Sequence, residues 1–201
     1  MIGGINPWVV MWTSPRSTIR SIVNVNPKYG VFALAWIYAL QTYFLLASYW
    51  SFGLSYSFYT ILIIGIVFSP LIGWIWIYFT GWTLHLTGRW LKGSASMAHL
   101  RTAAAWSKLP SSIALAMWLI LMIGGRDYAF INGVTGPSTL FINFILFVIS
   151  IWNLVLLIRS GQEVQGFTPL RSISNVVLAG ITEWIATFLV FLFFRFFYTS
   201  I

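Results

Sequence analysis

Cysteine is absent from this chain, and acids are scarce: three aspartates and glutamates stand against 11 lysines and arginines in 201 residues. Without thiols there is no disulfide framework and no sulfur ligand or nucleophile. The two histidines, His85 and His99, have no neighbouring carboxylate that would complete a metal site. HExxH, Walker, GxSxG and strand-linked GxGxxG motifs are also missing. We therefore expect no catalytic residues, no metal and no cofactor, and a serine hydrolase is a distant third hypothesis.

Charged residues make up only 7% of the chain, whereas 59% is hydrophobic and 19% aromatic. These values lie far outside the usage of soluble globular domains. The net charge of +8 does not indicate nucleic acid binding, because the basic residues are scattered between apolar runs rather than gathered into one patch. The composition is typical of an integral membrane protein.

Apolar runs of roughly 20 residues predict membrane-spanning helices. Five such runs predict an all-α integral membrane protein with spans at residues 29–50, 57–86, 109–124, 139–158 and 175–198. The second run is predicted to be one tilted helix, kinked at Pro70. Residues 1–28 would form a cytoplasmic or interfacial segment, and residues 29–201 a five-helix domain.

Lysine and arginine set the orientation, because short loops rich in them stay in the cytoplasm. Nine of the 11 fall on one side of the predicted topology: Arg16, Arg20, Lys28, Arg89, Lys92, Arg101, Lys108, Arg159 and Arg171. Only Arg126 and Arg195 fall on the other. We expect a multi-pass protein of the bacterial cytoplasmic (inner) membrane, with its amino terminus in the cytoplasm and its carboxyl terminus outside.

Two cytoplasmic segments have the pattern of helices that lie on a membrane surface. In "TSPRSTIRSIVNVNP", Ser14 and Pro15 begin an amphipathic N-terminal helix. "GSASMAHLRTAAAWSKLP" predicts a second helix before span three. Candidate lipid-facing anchors for anionic headgroups are Trp8, Trp12, Arg16, Arg20, Arg101 and Trp106. The alternative is that both segments are ordinary positive flanks of the spans.

One acid, Glu183, lies inside the fifth span on its small and polar face. Counting from Asn175 places its carboxylate about 12 Å deep in an apolar layer of about 30 Å. It must therefore face protein or a water-filled cavity. Span four carries a polar stripe of Thr139, Asn143, Ser150 and Asn153, and the candidate polar site consists of Glu183, Asn143, Asn153 and Gln41. We expect a hydrogen bond to Asn143, Asn153 or Gln41, and the site is either structural or binds a proton, an ion or a headgroup.

Three segments resemble the Yip1-domain family, especially its bacterial branch: "NPWVVMWTSPRSTIRSIVNVNPKYGVFALAW", "LKGSASMAHLRTAAAWSKLP" and "IWNLVLLIRSGQEVQGFTPLRSISNVVLAG". The shared elements are Asn-Pro-Trp at the start and Pro-x-Tyr-Gly before span one. Further along are an alanine-rich basic segment leading to Ser107 and Pro110, and a span with Trp152 that closes into Gly161, Glu163 and Gly166. The resemblance covers nearly the whole chain. It implies a five-helix membrane protein with a cytoplasmic amino terminus and a role in membrane organisation.

Eukaryotic members of that family associate with Rab-type GTPases and with one another in vesicle traffic, through a longer amino-terminal region. Here about 28 residues precede span one, and of the Asp-Leu-Tyr-Gly-Pro motif only Tyr29 and Gly30 are present. We therefore do not expect GTPase binding, and expect this pair to shape the entry into the first helix.

Two functional hypotheses follow. The first is a non-enzymatic protein of membrane organisation or trafficking, whose partners are membrane lipids and either its own copies or other membrane proteins. The second is a small permease or channel with a polar intramembrane site around Glu183. The odd number of spans, without a visible inverted repeat, argues against the second.

Overall fold

The structure, a computed structural model, describes residues 4, 6–126, 128–131 and 137–199. Within that part of the chain all regular structure is helical. The helices are α1 (Pro7–Val10), α2 (Pro15–Val25), α3 (Val31–Tyr49), α4 (Phe58–Trp90), α5 (Met97–Ser107), α6 (Ser111–Gly124), α7 (Pro137–Gln165) and α8 (Pro169–Thr199), with a 3-10 turn at Phe52–Leu54.

Four helices, α3, α4, α7 and α8, are long and apolar enough to cross a bilayer, and α5 with α6 forms a fifth apolar stretch bent by 42°. The prediction of an all-α membrane protein is confirmed. The bounds of the third predicted span are wrong. Helix α6 alone has 14 residues, so it is about 21 Å long and too short to cross an apolar layer of about 30 Å. Only the bent pair of α5 and α6 has the length to cross.

Helix α4 is continuous through Pro70, so span two is one helix, as predicted. Its contact with α3 depends on small residues one turn apart, Gly65, Ser69 and Gly73, all of which are buried. A Cβ atom at Gly73 would lie 2.5 Å from the carbonyl oxygen of Ala35. The two backbones therefore approach so closely that only glycine fits at this crossing.

The bundle has two ends. At one, which we call the basic end, α4 and α7 finish and α5 and α8 begin. Helix α7 runs to Gln165, beyond its predicted end at residue 158, and stops at Gly166, whose φ is +67°. Because α7 extends this far, Glu163 lies on a helix. At the opposite end, the amide of Gly53 donates to the carbonyl of Phe130 at 2.9 Å.

Buried side chains form one cluster towards each end of the bundle. Phe44 and Trp118 lie in the cluster at the opposite end, and Trp106 in the cluster near the basic end. Helices α2 and α5 both contribute to the cluster near the basic end. Ile19 and Ile22 of α2 are fully buried, and α5 packs against α3, α4 and α7. Both predicted helices before the spans are therefore present, and their apolar faces pack against protein.

Candidate functional site

Three aromatic residues from distant parts of the chain meet near the basic end. The ring centroids of Trp8 and Trp106 are 5.0 Å apart, and Tyr29 stacks on Trp106 at 6.1 Å. Nε1 of Trp8 donates to the hydroxyl of Tyr29 at 3.3 Å. Nε1 of Trp106 donates to the backbone carbonyl of Tyr29 at 2.9 Å. This aromatic cluster joins α1, the entry into α3 and the end of α5.

Gly30 follows this tyrosine, and two features require glycine there. Its φ of +70° lies in the left-handed region, which side chains disfavour. A Cβ atom at this position would also lie 2.9 Å from Cζ2 of Trp106. The Tyr29-Gly30 pair therefore shapes the entry into α3 by letting the chain turn against the indole.

Glu163 of α7 holds two arginines of α2. Nε of Arg20 lies 2.5 Å from Oε1, and Nε of Arg16 lies 3.2 Å from Oε2. The side chain of Glu163 is only 10% exposed, whereas those of the arginines are 54% and 64% exposed. The carboxylate raises the pKa of Arg20, first through the hydrogen bond and then through its charge. Helix α2 is thus attached by charge on one face and by apolar packing on another.

The three tryptophans predicted to anchor helices in lipid all contact protein, and Trp8 and Trp12 remain partly exposed. Trp106 is fully buried, so its assignment as a lipid-facing anchor is wrong. Trp8 and Trp12 pack against the same core, and Nε1 of Trp12 donates to the carbonyl of Trp8 at 3.0 Å. Their indoles stabilise the fold of the amino-terminal segment.

The predicted arginine anchors also have protein partners. Arg16 and Arg20 share the carboxylate of Glu163. The guanidinium of Arg101 lies 4.2 Å from the ring centroid of Tyr78 on α4, which is a cation–π contact. The positive charge of these three arginines is therefore partly engaged within the protein.

Glu183 lies where α8 meets α4. The hydroxyl of Thr83 donates to its Oε1 at 2.8 Å. One turn along α4, the hydroxyl of Thr87 donates to Oδ1 of Asn175 at 2.7 Å. These two bonds fix α8 against α4 through side chains that are polar on both helices.

None of the three predicted partners of that carboxylate has a hydrogen bond to it in the described structure. Gln41 donates to the hydroxyl of Thr42 at 2.9 Å. Asn153 donates to the hydroxyl of Ser111 at 3.0 Å. Asn143 is exposed on α7. The predicted bond is not observed, and α4, which packs against α8, supplies Thr83 as the partner instead.

The level of Glu183 along the bundle can be read from the crossing of α3 and α4. Ala35 of α3 is opposite Gly73 of antiparallel α4. Val31, where α3 begins, is therefore opposite about residue 77, and Thr83 lies about 9 Å beyond that level at 1.5 Å per residue. Side chains on a helix lean toward its amino terminus, which for α8 is the basic end. The bond between Thr83 and Glu183 thus lies toward the basic end of the bundle.

Two cavities lie between the helices, and Lys108 lines both of them. The smaller, of about 110 Å³, is lined by Glu183. The larger, of about 400 Å³, is lined by Gln41 and Asn153 and lies among α3, α6 and α7. The predicted polar residues therefore divide between two sites. The side chain of Thr139, the first residue of the predicted stripe, lies outside the described part.

The sequence offered Lys108, with Arg101, only as a cation available to anionic headgroups, and did not predict that it lines two cavities. Its Nζ lies 4.4 Å from the ring centroid of Tyr38 and 5.3 Å from that of Trp76. Among the described residues no carboxylate pairs with it. The signal was its position in the turn between two apolar helices, two residues before Pro110.

Gln165 was missed as well. Its Oε1 accepts from the amide of Ala95 at 3.2 Å, and its Nε2 donates to the carbonyl of Leu84 at 3.4 Å. Gly88 and Gly93 leave the space that this side chain occupies. From sequence, a glutamine beside a helix end is expected to be exposed. Only the fold shows that Gln165 is buried and connects α7 to the end of α4.

Metal-ligating side chains do not gather in the part of the chain that the structure describes, where no group of three could hold an ion. Nδ1 of His85 lies 3.1 Å from the carbonyl oxygen of Ala95. This histidine therefore contributes to packing at the basic end.

The sequence elements that resemble a known family converge in this region, since Trp8, Tyr29 and Trp106 form the aromatic cluster and Glu163 holds α2. A family model described as the Yip1 domain matches residues 8–195. The chain belongs to the Yip1 family. No curated protein and no solved structure matches this Yip1 chain.

Proposed function

We propose that this Yip1-family protein organises membranes without catalysing a reaction, by binding anionic lipid and partner proteins at its basic end. The observation that carries the proposal is a set of exposed cations which, within the described structure, have no carboxylate partner: Lys28, Arg89, Lys92, Arg159 and Arg171. Each such group near an anionic surface contributes about 1 kcal/mol of attraction. Glu163 offsets only part of the charge of α2.

Vesicle attachment tests this proposal. Proteoliposomes with the basic end outward should capture vesicles containing phosphatidylglycerol, and capture should weaken as salt rises. Arg89→Glu with Lys92→Glu should reduce capture several-fold, because both cations are exposed and unpaired in the described structure. Arg126→Glu, at the opposite end, is the control and should leave capture unchanged. Equal capture by all three proteins would remove the basis of the proposal.

The proposal includes an orientation, with the basic end in the cytoplasm of a bacterial inner membrane and the carboxyl terminus outside. The absence of cysteine makes each introduced thiol unique. Ser55→Cys lies between α3 and α4, and Ser94→Cys lies between α4 and α5. An impermeant maleimide added from the periplasmic side should label Ser55→Cys alone. Labelling of Ser94→Cys alone would reverse the orientation.

Partner proteins are the second part of the proposal, either further copies of this chain or other membrane proteins. The apolar outer side of α8 supports it, since Trp184 and Phe188 stack on each other while both remain exposed. Native mass spectrometry of the protein released gently from lipid should resolve a defined oligomer. A monomer at every protein concentration would limit the proposal to lipid contacts. GTPase binding is not proposed.

A small permease or channel is the second candidate, and the observation that favours it is the pair of cavities lined by Lys108. The position of Glu183 near the basic end argues against a path through the centre of the bilayer. Flux into proteoliposomes decides between the two. Transport that is present in wild type and lost in Glu183→Gln would support the permease.

A further inference from the structure

The larger cavity has a lining of mixed chemistry. Helix α6 packs against both α3 and α7, and the cavity of about 400 Å³ lies beside the start of α6, partly open to the outside. Lys108 lines it before α6 begins, Tyr38 lies two turns into α3, and Leu45 lies two turns further. Its lining therefore combines a cation, polar side chains and leucines, with Leu45 and Leu146 farther from the basic end than Lys108.

Two polar groups at this cavity have incomplete partners. Lys108 faces aromatic rings and, in the described structure, has no carboxylate within ion-pair distance. Asn153 is 7% exposed, and its amide donates to Ser111. The Oδ1 atom of the same amide is buried and has no hydrogen-bond donor. A buried oxygen without a donor and a partly buried cation without an ion-pair partner both cost free energy.

A ligand that relieves both costs must bring a negative charge and a hydrogen-bond donor. We propose that the cavity binds the headgroup of an anionic phospholipid that carries hydroxyl groups. The phosphate pairs with Lys108, and a headgroup hydroxyl donates to Oδ1 of Asn153. An acyl chain then passes along Leu45 and Leu146, which line the same cavity.

The volume and the chemistry agree with this assignment. Cavities of about 300 to 1,000 Å³ are usual for small-molecule sites. Phosphatidylethanolamine fits less well, because its ammonium group would lie near the cation of Lys108. Phosphatidic acid supplies the charge and lacks the hydroxyl donor. The site is separate from the exposed cations of the proposed function, so either proposal can fail while the other holds.

Native mass spectrometry of the full chain tests the charge. After reconstitution in equal amounts of phosphatidylglycerol and phosphatidylethanolamine and mild release, wild type should retain phosphatidylglycerol preferentially. Lys108→Met should retain at least about tenfold less, because a charge-assisted contact is lost. Arg126→Met, which removes an exposed cation at the opposite end of the bundle, is the control and should match wild type. Equal retention by Lys108→Met and wild type would overturn the proposal, as would wild type that shows no preference.

The hydroxyl requirement has its own test. Wild type should prefer phosphatidylglycerol over phosphatidic acid, and Asn153→Leu should lose that preference while still selecting both over phosphatidylethanolamine. Inorganic phosphate and glycerol phosphate distinguish a lipid from a soluble anion. If millimolar concentrations of either displace the lipid, the site takes a free anion and the lipid assignment is wrong.

A third variant tests where the lipid binds without disturbing the fold. The hydroxyl of Ser150, which lines the cavity, bonds only to the carbonyl of Leu146 in its own helix, at 2.9 Å. Ser150→Phe should therefore fold, fill the opening and exclude phosphatidylglycerol, with an unchanged melting temperature in lipid-free detergent. Val148→Phe, at an exposed position of the same helix, is its control. Retention of the lipid by folded Ser150→Phe would place it elsewhere.

Discussion

Trp106 donates its indole hydrogen bond to the carbonyl oxygen of Tyr29 at 2.9 Å, although 77 positions of the chain separate the two residues. The bond joins the turn before α3 to the last turn of α5. It also satisfies a backbone carbonyl at a place where the buried indole excludes water. The contact makes α5 part of the bundle rather than a helix on its surface.

Replacing Trp106 should separate the hydrogen bond from the packing. Trp106→Phe keeps an aromatic ring and leaves the carbonyl of Tyr29 unpaired, which should cost about 1–3 kcal/mol. Trp106→Ala should cost more, about 3–5 kcal/mol, because it also creates a cavity. Reversible unfolding in detergent measures both. Trp184→Phe, at an exposed position, should change little, and wild-type stability in Trp106→Phe would show that the bond contributes nothing.

Gly30→Ala should destabilise the protein by about 1–3 kcal/mol, because the new methyl group is strained at positive φ and meets the indole of Trp106. Gly180→Ala is the matched control, since Gly180 is helical and has open space around its Cβ position. That change should be neutral or stabilise by up to about 1 kcal/mol. The same unfolding measurement compares the two, and equal effects would contradict the packing described at Gly30.

Glu163→Gln should loosen α2, because the partner of Arg16 and Arg20 loses its charge. Exposed ion pairs contribute about 0.2–1 kcal/mol each, so amide hydrogen exchange in α2 should accelerate several-fold without global unfolding. Lys28→Gln removes a charge that has no partner in the described structure and should leave exchange in α2 unchanged. Combining Glu163→Arg with Arg20→Glu should restore much of the protection. Unaltered exchange in Glu163→Gln would mean that apolar packing alone holds the helix.

Thr83→Val keeps the shape of the side chain and removes the donor to Glu183. The carboxylate then lacks its partner, which should lower the free energy of unfolding by about 1–2 kcal/mol. Glu183→Gln keeps an acceptor oxygen for the threonine and should lower it less. The order of the two variants in a denaturation series checks this. The reverse order would show that the charge of Glu183 has another partner.

Much of the fold could be predicted from local sequence. The apolar runs of α3, α4, α7 and α8 exceed the length that a bilayer requires, so their composition alone indicates spans. Pro70 did not divide α4, and the apolar run continues on both sides of it without a charge. Helices α7 and α8 are longer than the spans predicted within them. Hydropathy follows the apolar layer, whereas hydrogen bonds and caps decide where a helix begins and ends.

The candidate site was harder to predict. Glu183 was identified as an intramembrane acid, but its partner Thr83 lies 100 positions away. Threonines are common in membrane helices and usually bond to the preceding turn, so the sequence gives no reason to single this one out. The long-range bonds of Gln165 and Asn175 depend in the same way on which helices are neighbours.

The sequence by itself determined that this is an all-α membrane protein, which stretches are apolar and where its basic residues concentrate, because these properties depend on composition along short segments. The tertiary structure decided what covers each apolar face. Lipid tails and protein side chains are about equally apolar, so the pattern of α5 fits either environment, and only the packed bundle shows that Trp106 is buried in protein and that Lys108 faces a cavity.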